Sequence, residues 1–367
     1  MKMISFYLPQ FHEIPENDKW WGKGFTEWVN TKNAKKLFSG HDQPKEPLND
    51  NYYNLADYRT TIWQVELAKK YGVSGFCYYH YWFNGKLLLE KPIRNHLEHT
   101  EIDFPFCMCW ANEPWTRSWD GKSKEIIMPQ KYGSEKEWKA HFNYLIEFFK
   151  DSRYIKIENK PVFLIYRPSS IDNCERMLEY FNNMAIQEGF CGIFFIEMLT
   201  SFDNRFVKGF EASVDFEPMY TIGHFLPKKD LIKRAVKKIG RKTLKKISFE
   251  RYPSWLLDSI DYDLIWNLIL SRQYRKRRKK EYLGAFVNWD NTARKGRNGL
   301  ILKNFSIDKF EKNLSKQVRR SFKFDSEFIF INAWNEWAEG TYLEPDKTNE
   351  FKYLECVKRA LNENNIE

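Results

Sequence analysis

The sequence predicts a (β/α)8 TIM barrel with a basic helical insertion before its seventh strand. Eight short runs rich in β-branched and aromatic residues recur along the chain, and most are continuously apolar, as parallel strands covered by helices must be. Segments with helical periodicity fall between most of these runs. Polar and aromatic residues gather directly after the runs, at the end where barrels carry their sites. With 367 residues the chain suffices for one such domain over 1–367, with residues 225–280 as an insertion in it. A doubly wound open sheet is the alternative, but the glycine-rich turn that often follows its first strand is missing.

The first run, Met3–Leu8, includes Tyr7 and opens into Pro9-Gln10-Phe11-His12, then a long loop holding Gly24-Phe25-Thr26-Glu27-Trp28. Gln10, His12, Glu27 and Trp28 are cleft candidates, although Glu27 is equally suited to capping a turn. A helix is expected over Leu55–Tyr71 and a strand over Gly75–Tyr79, continuing as His80-Tyr81-Trp82-Phe83-Asn84. Alternate members of that aromatic stretch must face the core, so only some reach a ligand. Tyr79, His80 and Trp82 are the candidates, with His80 the expected polar contact.

After a helix over Leu88–His99, the strand Phe104–Trp110 ends in Trp110-Ala111-Asn112-Glu113-Pro114-Trp115. The proline stops regular structure, leaving Asn112 and Glu113 flanked by rings that either meet a ligand or pack the rim. Helix Glu135–Lys150, strand Val162–Tyr166, helix Asp172–Gln187 and strand Gly192–Glu197 follow, the last ending on the candidate Glu197. Strands over Ala212–Phe216 and Gly284–Asn288 flank the insertion, and Trp289 follows the second of them. Helix Ile307–Phe322, strand Phe328–Asn332 and helix Tyr353–Asn362 complete the pattern.

The last strand opens into Asn332-Ala333-Trp334-Asn335-Glu336-Trp337-Ala338-Glu339-Gly340. Two carboxylates three residues apart, with Trp334 and Trp337 around them, suit sugar chemistry. One group handles protons, the other helps expel a leaving group, and flat rings stack on pyranose faces. On a helical turn or tight loop both side chains face one cavity. The alternative is an acidic first turn complementing a helix dipole. Glu336 and Glu339 are the candidate catalytic pair, with Asn332, Trp334, Asn335 and Trp337 as binding candidates.

The formal charge of +10 is unevenly placed. Residues 228–246 carry ten Lys/Arg against one Asp, and residues 272–280 carry seven Lys/Arg, leaving the rest of the chain at −6. Leu231, Ile232, Ala235, Val236 and Ile239 repeat at helical spacing among these cations, a pattern suited to an anionic membrane surface or to a solvated helical face. No recognition motif accompanies the charge, so nucleic acid is not an expected partner. The six cysteines are scattered, and several lie inside apolar runs, which points to buried free thiols in a reducing compartment. The amino terminus lacks the pattern of a secretory signal and no stretch is long enough to span a bilayer, so the cytoplasm, including its membrane face, is the expected location.

No nucleophile elbow, Walker A, dinucleotide fingerprint or zinc-protease motif occurs, and neither a metal nor another cofactor is expected. Asp261-Tyr262-Asp263 has the D-x-D form by which many glycosyltransferases hold a metal and a nucleotide-sugar, but it falls in a helical-looking stretch rather than at a strand end.

Five segments in order resemble WbsX-like proteins: Phe6–His12, Trp21–Trp28, Tyr78–Phe83, Trp110–Trp115 and Asn335–Thr341. That family is similar to glycoside hydrolase family 99 and is associated with bacterial O-antigen and capsule synthesis. The resemblance implies a (β/α)8 barrel acting on α-mannosidic linkages with retention, through attack by the sugar's own 2-hydroxyl. It also implies that Glu336 is the base on that hydroxyl and Glu339 the acid at the leaving oxygen. Ala338 departs from the pattern, since the hydrolases typically carry His there. The expected partners are thus a glycan or lipid-linked oligosaccharide, acted on by a retaining glycosidase or transglycosidase. The alternatives are a glycosyltransferase using an activated donor and a non-catalytic glycan-binding barrel.

Overall fold

Eight parallel strands close on themselves in the computed structural model of the chain, which describes residues 1–117, 122–202, 207–246, 253–273 and 280–364. They are β1 (Lys2–Tyr7), β2 (Val73–Phe83), β3 (Phe106–Trp110), β4 (Lys160–Ile165), β5 (Phe194–Leu199), β6 (Ala212–Asp215), β7 (Lys280–Phe286) and β8 (Phe328–Asn332). Neighbours in sequence are neighbours in the sheet, and β1 bonds to both β8 and β2. Each expected run overlaps one strand. The architecture is the (β/α)8 barrel.

Helices cover the outside because their start and stop signals are local. Tyr58–Tyr71 begins at Asp57, whose carboxylate accepts the Arg59 N–H, and stops at Gly72 in the left-handed region. Glu135–Phe149 opens on a capping box of Ser134 and Glu137. Ile307–Lys323 starts at Ser306, whose hydroxyl accepts the Lys309 N–H. The β5–β6 connection has no helix among the described residues.

The segment 225–280 divides into two parts. The helix Lys228–Lys246 and a short strand, Asp258–Asp261, are additions, the strand pairing in parallel with Leu300–Lys303 beyond β7. The helix Tyr262–Ser271 belongs to the barrel's outer layer. It buries Tyr262, Ile265, Trp266 and Ile269, with the Trp266 ring stacked on Phe286 of β7. The cluster Arg275–Lys279 lies outside the described residues.

Strand alternation sorts side chains into two layers. Inside, Phe6 packs on Tyr79, Phe216 and Phe330, and the Cys109 thiol meets the Met198 sulfur at 3.0 Å. Outside, Phe76, Tyr78, His80 and Trp82 face helices. All six cysteines are free, and only Cys191 among them is exposed.

Gly284 on β7 marks the tightest approach in the barrel wall, since a Cβ there would lie 1.8 Å from the Asp215 carbonyl oxygen of β6. Gly284→Ala must therefore push β6 and β7 apart. The expected loss is about 2–3 kcal/mol in urea unfolding, and an unchanged midpoint would contradict this packing.

Candidate active site

The turn after β8 is built to aim two carboxyls the same way. Trp337–Glu339 forms one 3-10 turn, with three residues per turn, so Glu336 and Glu339 emerge on one side while Trp337 and Ala338 are buried. Gly340 ends the turn at φ 65°, and a side chain there would meet Asp290 at 3.0–3.1 Å, so glycine is required twice over. Asn335 clasps the turn to β1, accepting the Leu8 N–H at 2.7 Å and donating to the Leu8 carbonyl at 3.0 Å.

Beneath the turn sits the fully buried Glu344. Trp337 Nε1 and the Tyr53 hydroxyl donate to one of its oxygens at 2.6 and 2.8 Å. Gln64 and Trp334 Nε1 donate to the other at 2.6 and 3.0 Å. Burial pushes this carboxyl up to about 7, against the pull of the four donors.

Glu336 and Glu339 open into a cleft of about 420 Å³ at the C-terminal ends of the strands. Tyr79 and Tyr81 of β2 form one wall with Glu113 and Trp115, which follow β3. Tyr166, Phe216 and Met219 follow β4 and β6, and Trp289, Asn291, Arg294 and Lys295 follow β7. Trp115 meets Tyr81 edge-on at 5.1 Å. Glu113 is held by the Arg167 guanidinium at 2.6 Å.

Arg294 joins the carboxyls. Its Nη1 donates to Glu339 at 2.6 Å, its Nη2 to Glu336 at 2.8 Å and its Nε to Glu27 at 3.1 Å. Among the described residues the buried Glu27 and Glu336 and the partly exposed Glu339 share this cation, so their full ionisation would leave uncompensated negative charge. Burial, reinforced by Glu339 and Glu27 and opposed by Arg294, pushes Glu336 up to about 8. Burial likewise raises Glu27 despite Arg294. Burial disfavours charge on Arg294 too, but Glu27, Glu336 and Glu339 keep it protonated. Burial raises the Tyr79 hydroxyl, and the nearby Glu336 charge adds to the effect.

Of the sequence candidates, Tyr79, Glu113, Trp115, Trp289, Glu336 and Glu339 line this cleft. Glu27 reaches it through Arg294, and Gln10 touches its wall by donating to the Tyr81 hydroxyl at 3.3 Å. Others face away from it. Tyr7 donates to Gln64 between barrel and helix. His80, the expected polar contact, points outward to His141 at 2.9 Å, and burial lowers it to about 3, so it is a neutral core histidine. Trp82 stacks on His141, and Trp110 donates to the Trp82 carbonyl. The reason is parity: β2 is buried on both faces, so Tyr79 and Tyr81 turn inward and Tyr78, His80 and Trp82 outward.

Trp334 and Trp337 donate to Glu344 and Trp28 to the Tyr53 carbonyl, and all three rings are buried away from the cleft, so none is a stacking platform. His12 bonds to the Pro9 carbonyl. Asn112 bonds both ways with the Arg167 backbone, Glu197 accepts the Val207 N–H and Asn332 donates to the Glu217 carbonyl. In the D-x-D segment, Asp261 ends a strand and caps the next helix, and also accepts from Asn304, while Asp263 pairs with Lys309. Sequence reasoning missed Arg294. Its position six residues after Asn288 at the end of the seventh run was the available signal.

Two substitutions test this assembly. Arg294→Met leaves the buried Glu27 and Glu336 and the adjoining Glu339 without this counter-charge, so it should cost about 3–5 kcal/mol at pH 8. The deficit should shrink at pH 5, because carboxyls whose folded pKa is raised lose stability as pH rises toward that pKa. Equal deficits at both pH values would refute the shared-cation account. Glu344→Ala strands four buried donors and should cost at least about 3 kcal/mol in urea unfolding, with Glu344→Gln less damaging; a midpoint unmoved by Glu344→Ala would deny Glu344 this role.

Comparison with known proteins matches residues 3–357 to the family described as Glycosyltransferase WbsX. The protein WxcX of Xanthomonas campestris pv. campestris, itself uncharacterised, is 33% identical over 368 residues. That alignment takes in 98% of this chain, which spans only 49% of that relative's length. Among solved structures, the GH99 endo-alpha-mannosidase from Bacteroides thetaiotaomicron superposes with a TM-score of 0.58 at 13% identity, covering 99% of this chain and 97% of that one. A glycoside hydrolase-like protein matches with the same TM-score and identity, over 98% and 93%. At such identity these two likenesses bear on the fold. The chain belongs to the WbsX family.

Proposed function

We propose that the protein is a retaining glycosidase or transglycosidase acting on α-linked manno- or rhamno-type glycans of bacterial surface-polysaccharide synthesis, in the cytoplasm. The observation that carries this reading is the convergence of Glu336 and Glu339 on one aromatic-walled cleft, joined by one guanidinium. The O-antigen and capsule context rests on the WbsX-like motifs. Tyr79, Tyr81, Trp115 and Trp289 supply rings and hydroxyls for a sugar, and Glu113 supplies an acceptor for its hydroxyl groups.

In the proposed reaction Glu336 takes the proton of the sugar 2-hydroxyl, and O2 attacks the anomeric carbon as the bond to the leaving oxygen breaks. Glu339 gives its proton to that oxygen. Glu339 then takes a proton from water or an acceptor hydroxyl, which attacks the anomeric carbon and opens the three-membered ring, while Glu336 returns its proton to O2. Two inversions give retention. Arg294 keeps the two carboxyls oriented and limits the cost of ionising Glu336. Ala338, where the hydrolases typically carry His, is buried in the turn and offers no polar group to the cleft.

A second reading, transfer from a nucleotide-sugar, is favoured by the family's description and by Lys295 in the cleft. Its D-x-D candidate is occupied by Asn304, Lys309 and a helix cap, which counts against that route to a metal-held donor.

The deciding assay offers α-linked manno- and rhamno-oligosaccharides in one arm and nucleotide-sugars with a lipid-linked acceptor in the other. Glu336→Gln and Glu339→Gln should each reduce oligosaccharide cleavage or transfer by about 10²–10⁴-fold. Acceptor-dependent nucleotide release would favour the second reading, and activity undiminished in both variants would remove the pair from catalysis. With Glu336 as base, kcat/KM should rise with pH toward about 8, where its carboxyl ionises. A rate that falls over that range would make Glu336 the acid and reverse the two roles.

A further inference from the structure

We infer that the helix Lys228–Lys246 is a docking element for the interface of an anionic lipid bilayer, and that it holds the rim of the cleft beside that surface. The inference concerns placement and stands apart from which reaction the cleft performs. The helix lies on the protein in an unusual sense. Its inner face is cationic: Arg234 forms two 2.9 Å bonds with Asp258, Lys237 donates to the Leu257 carbonyl and Arg241 to the Leu256 carbonyl. Among the described side chains of that face, only Leu244 joins a hydrophobic cluster, with Leu256, Leu257 and Ile301. Ile232, Val236 and Ile239 recur at i, i+4 and i+7 on the opposite side and are 62–64% exposed. Leu231 and Ala235 extend the same stripe and are exposed as well. An ordinary surface helix buries these residues.

Charge decides what covers the stripe. At 100° per residue, Lys229 and Lys233 border it on one side and Lys238 and Lys242 on the other, all exposed. An aliphatic stripe edged by lysines matches acyl chains below and phosphate headgroups beside them. A second copy of this face would bring the same excess of positive charge against itself. The platform beneath the helix includes the strand Asp258–Asp261, paired with Leu300–Lys303. That second strand bonds directly to Trp289 and Asn291, two residues of the cleft. A bilayer under the helix therefore lies near the seventh-strand side of the cleft, where a lipid-tethered substrate has the shortest path.

The test uses the full chain, floated with vesicles of phosphatidylcholine alone or of phosphatidylcholine and phosphatidylglycerol in equal parts. Binding is expected only to the mixed vesicles, weakening as salt rises. The exposed triple variant Ile232→Ser, Val236→Ser, Ile239→Ser should reduce binding at least about tenfold. Lys229→Gln, Lys233→Gln, Lys238→Gln and Lys242→Gln together should reduce it by roughly a hundredfold or more, at about fivefold per lysine. Neither variant should shift the melting temperature, because these side chains are exposed. Equal partition to both vesicles, no binding to either, or full binding by either variant would overturn the inference. So would a concentration-dependent dimer that the triple variant abolishes, which would make the stripe a protein interface.

Discussion

The candidate site depends on one buried guanidinium. Arg294 comes from the short helix Thr292–Lys295 after β7, Glu27 from the start of the helix Glu27–Asn33 between β1 and β2, and Glu336 and Glu339 from the turn after β8. Without the cation, three carboxyls packed side by side, two of them buried, would repel one another. With it, they are held in a fixed arrangement while the charge balance still leaves one of them close to its protonation point. That is a useful state for acid–base chemistry, and it arises from an imbalance of three against one rather than from a neutral pair.

The turn that carries the pair is held from behind by a second buried carboxyl of opposite character. Among the described residues Glu344 has no guanidinium partner and is satisfied by four neutral donors, two of them indole N–H groups of Trp334 and Trp337. The tryptophans that surround the acidic pair in sequence are thus supports of its backbone. The rings that face the cleft come from other elements: Tyr79 and Tyr81 on β2, Trp115 after β3, Tyr166 after β4 and Trp289 after β7. A division of labour follows, with neighbouring residues fixing the carboxyls and distant loops shaping the space before them.

The helix Lys228–Lys246 follows a related logic. Its cations serve two purposes because the helix is docked through them. Arg234, Lys237 and Arg241 satisfy a carboxylate and carbonyl groups of the platform, which frees the aliphatic stripe to face outward. The barrel's own outer helix, Tyr262–Ser271, follows the usual rule with its apolar side buried.

Much of the fold was legible in the chain, because strand runs, helix caps and the E-x-x-E spacing are local properties. All eight strands overlap their expected runs, and Ser134, Asp57 and Gly72 sit where helix boundaries require them. Local pattern also identified the acidic pair and the stripe of aliphatic residues among lysines. What only the tertiary structure decided was direction and convergence. Strand β2 is apolar on both faces, so its alternation separates Tyr79 from His80 without saying which one is inside. Glu27, Arg294, Glu336 and Glu339 meet only because a closed barrel brings the ends of its first, seventh and eighth strands together. The helix pattern names an apolar side, but its outward direction depends on Asp258 and the carbonyl groups it meets, which local sequence does not contain.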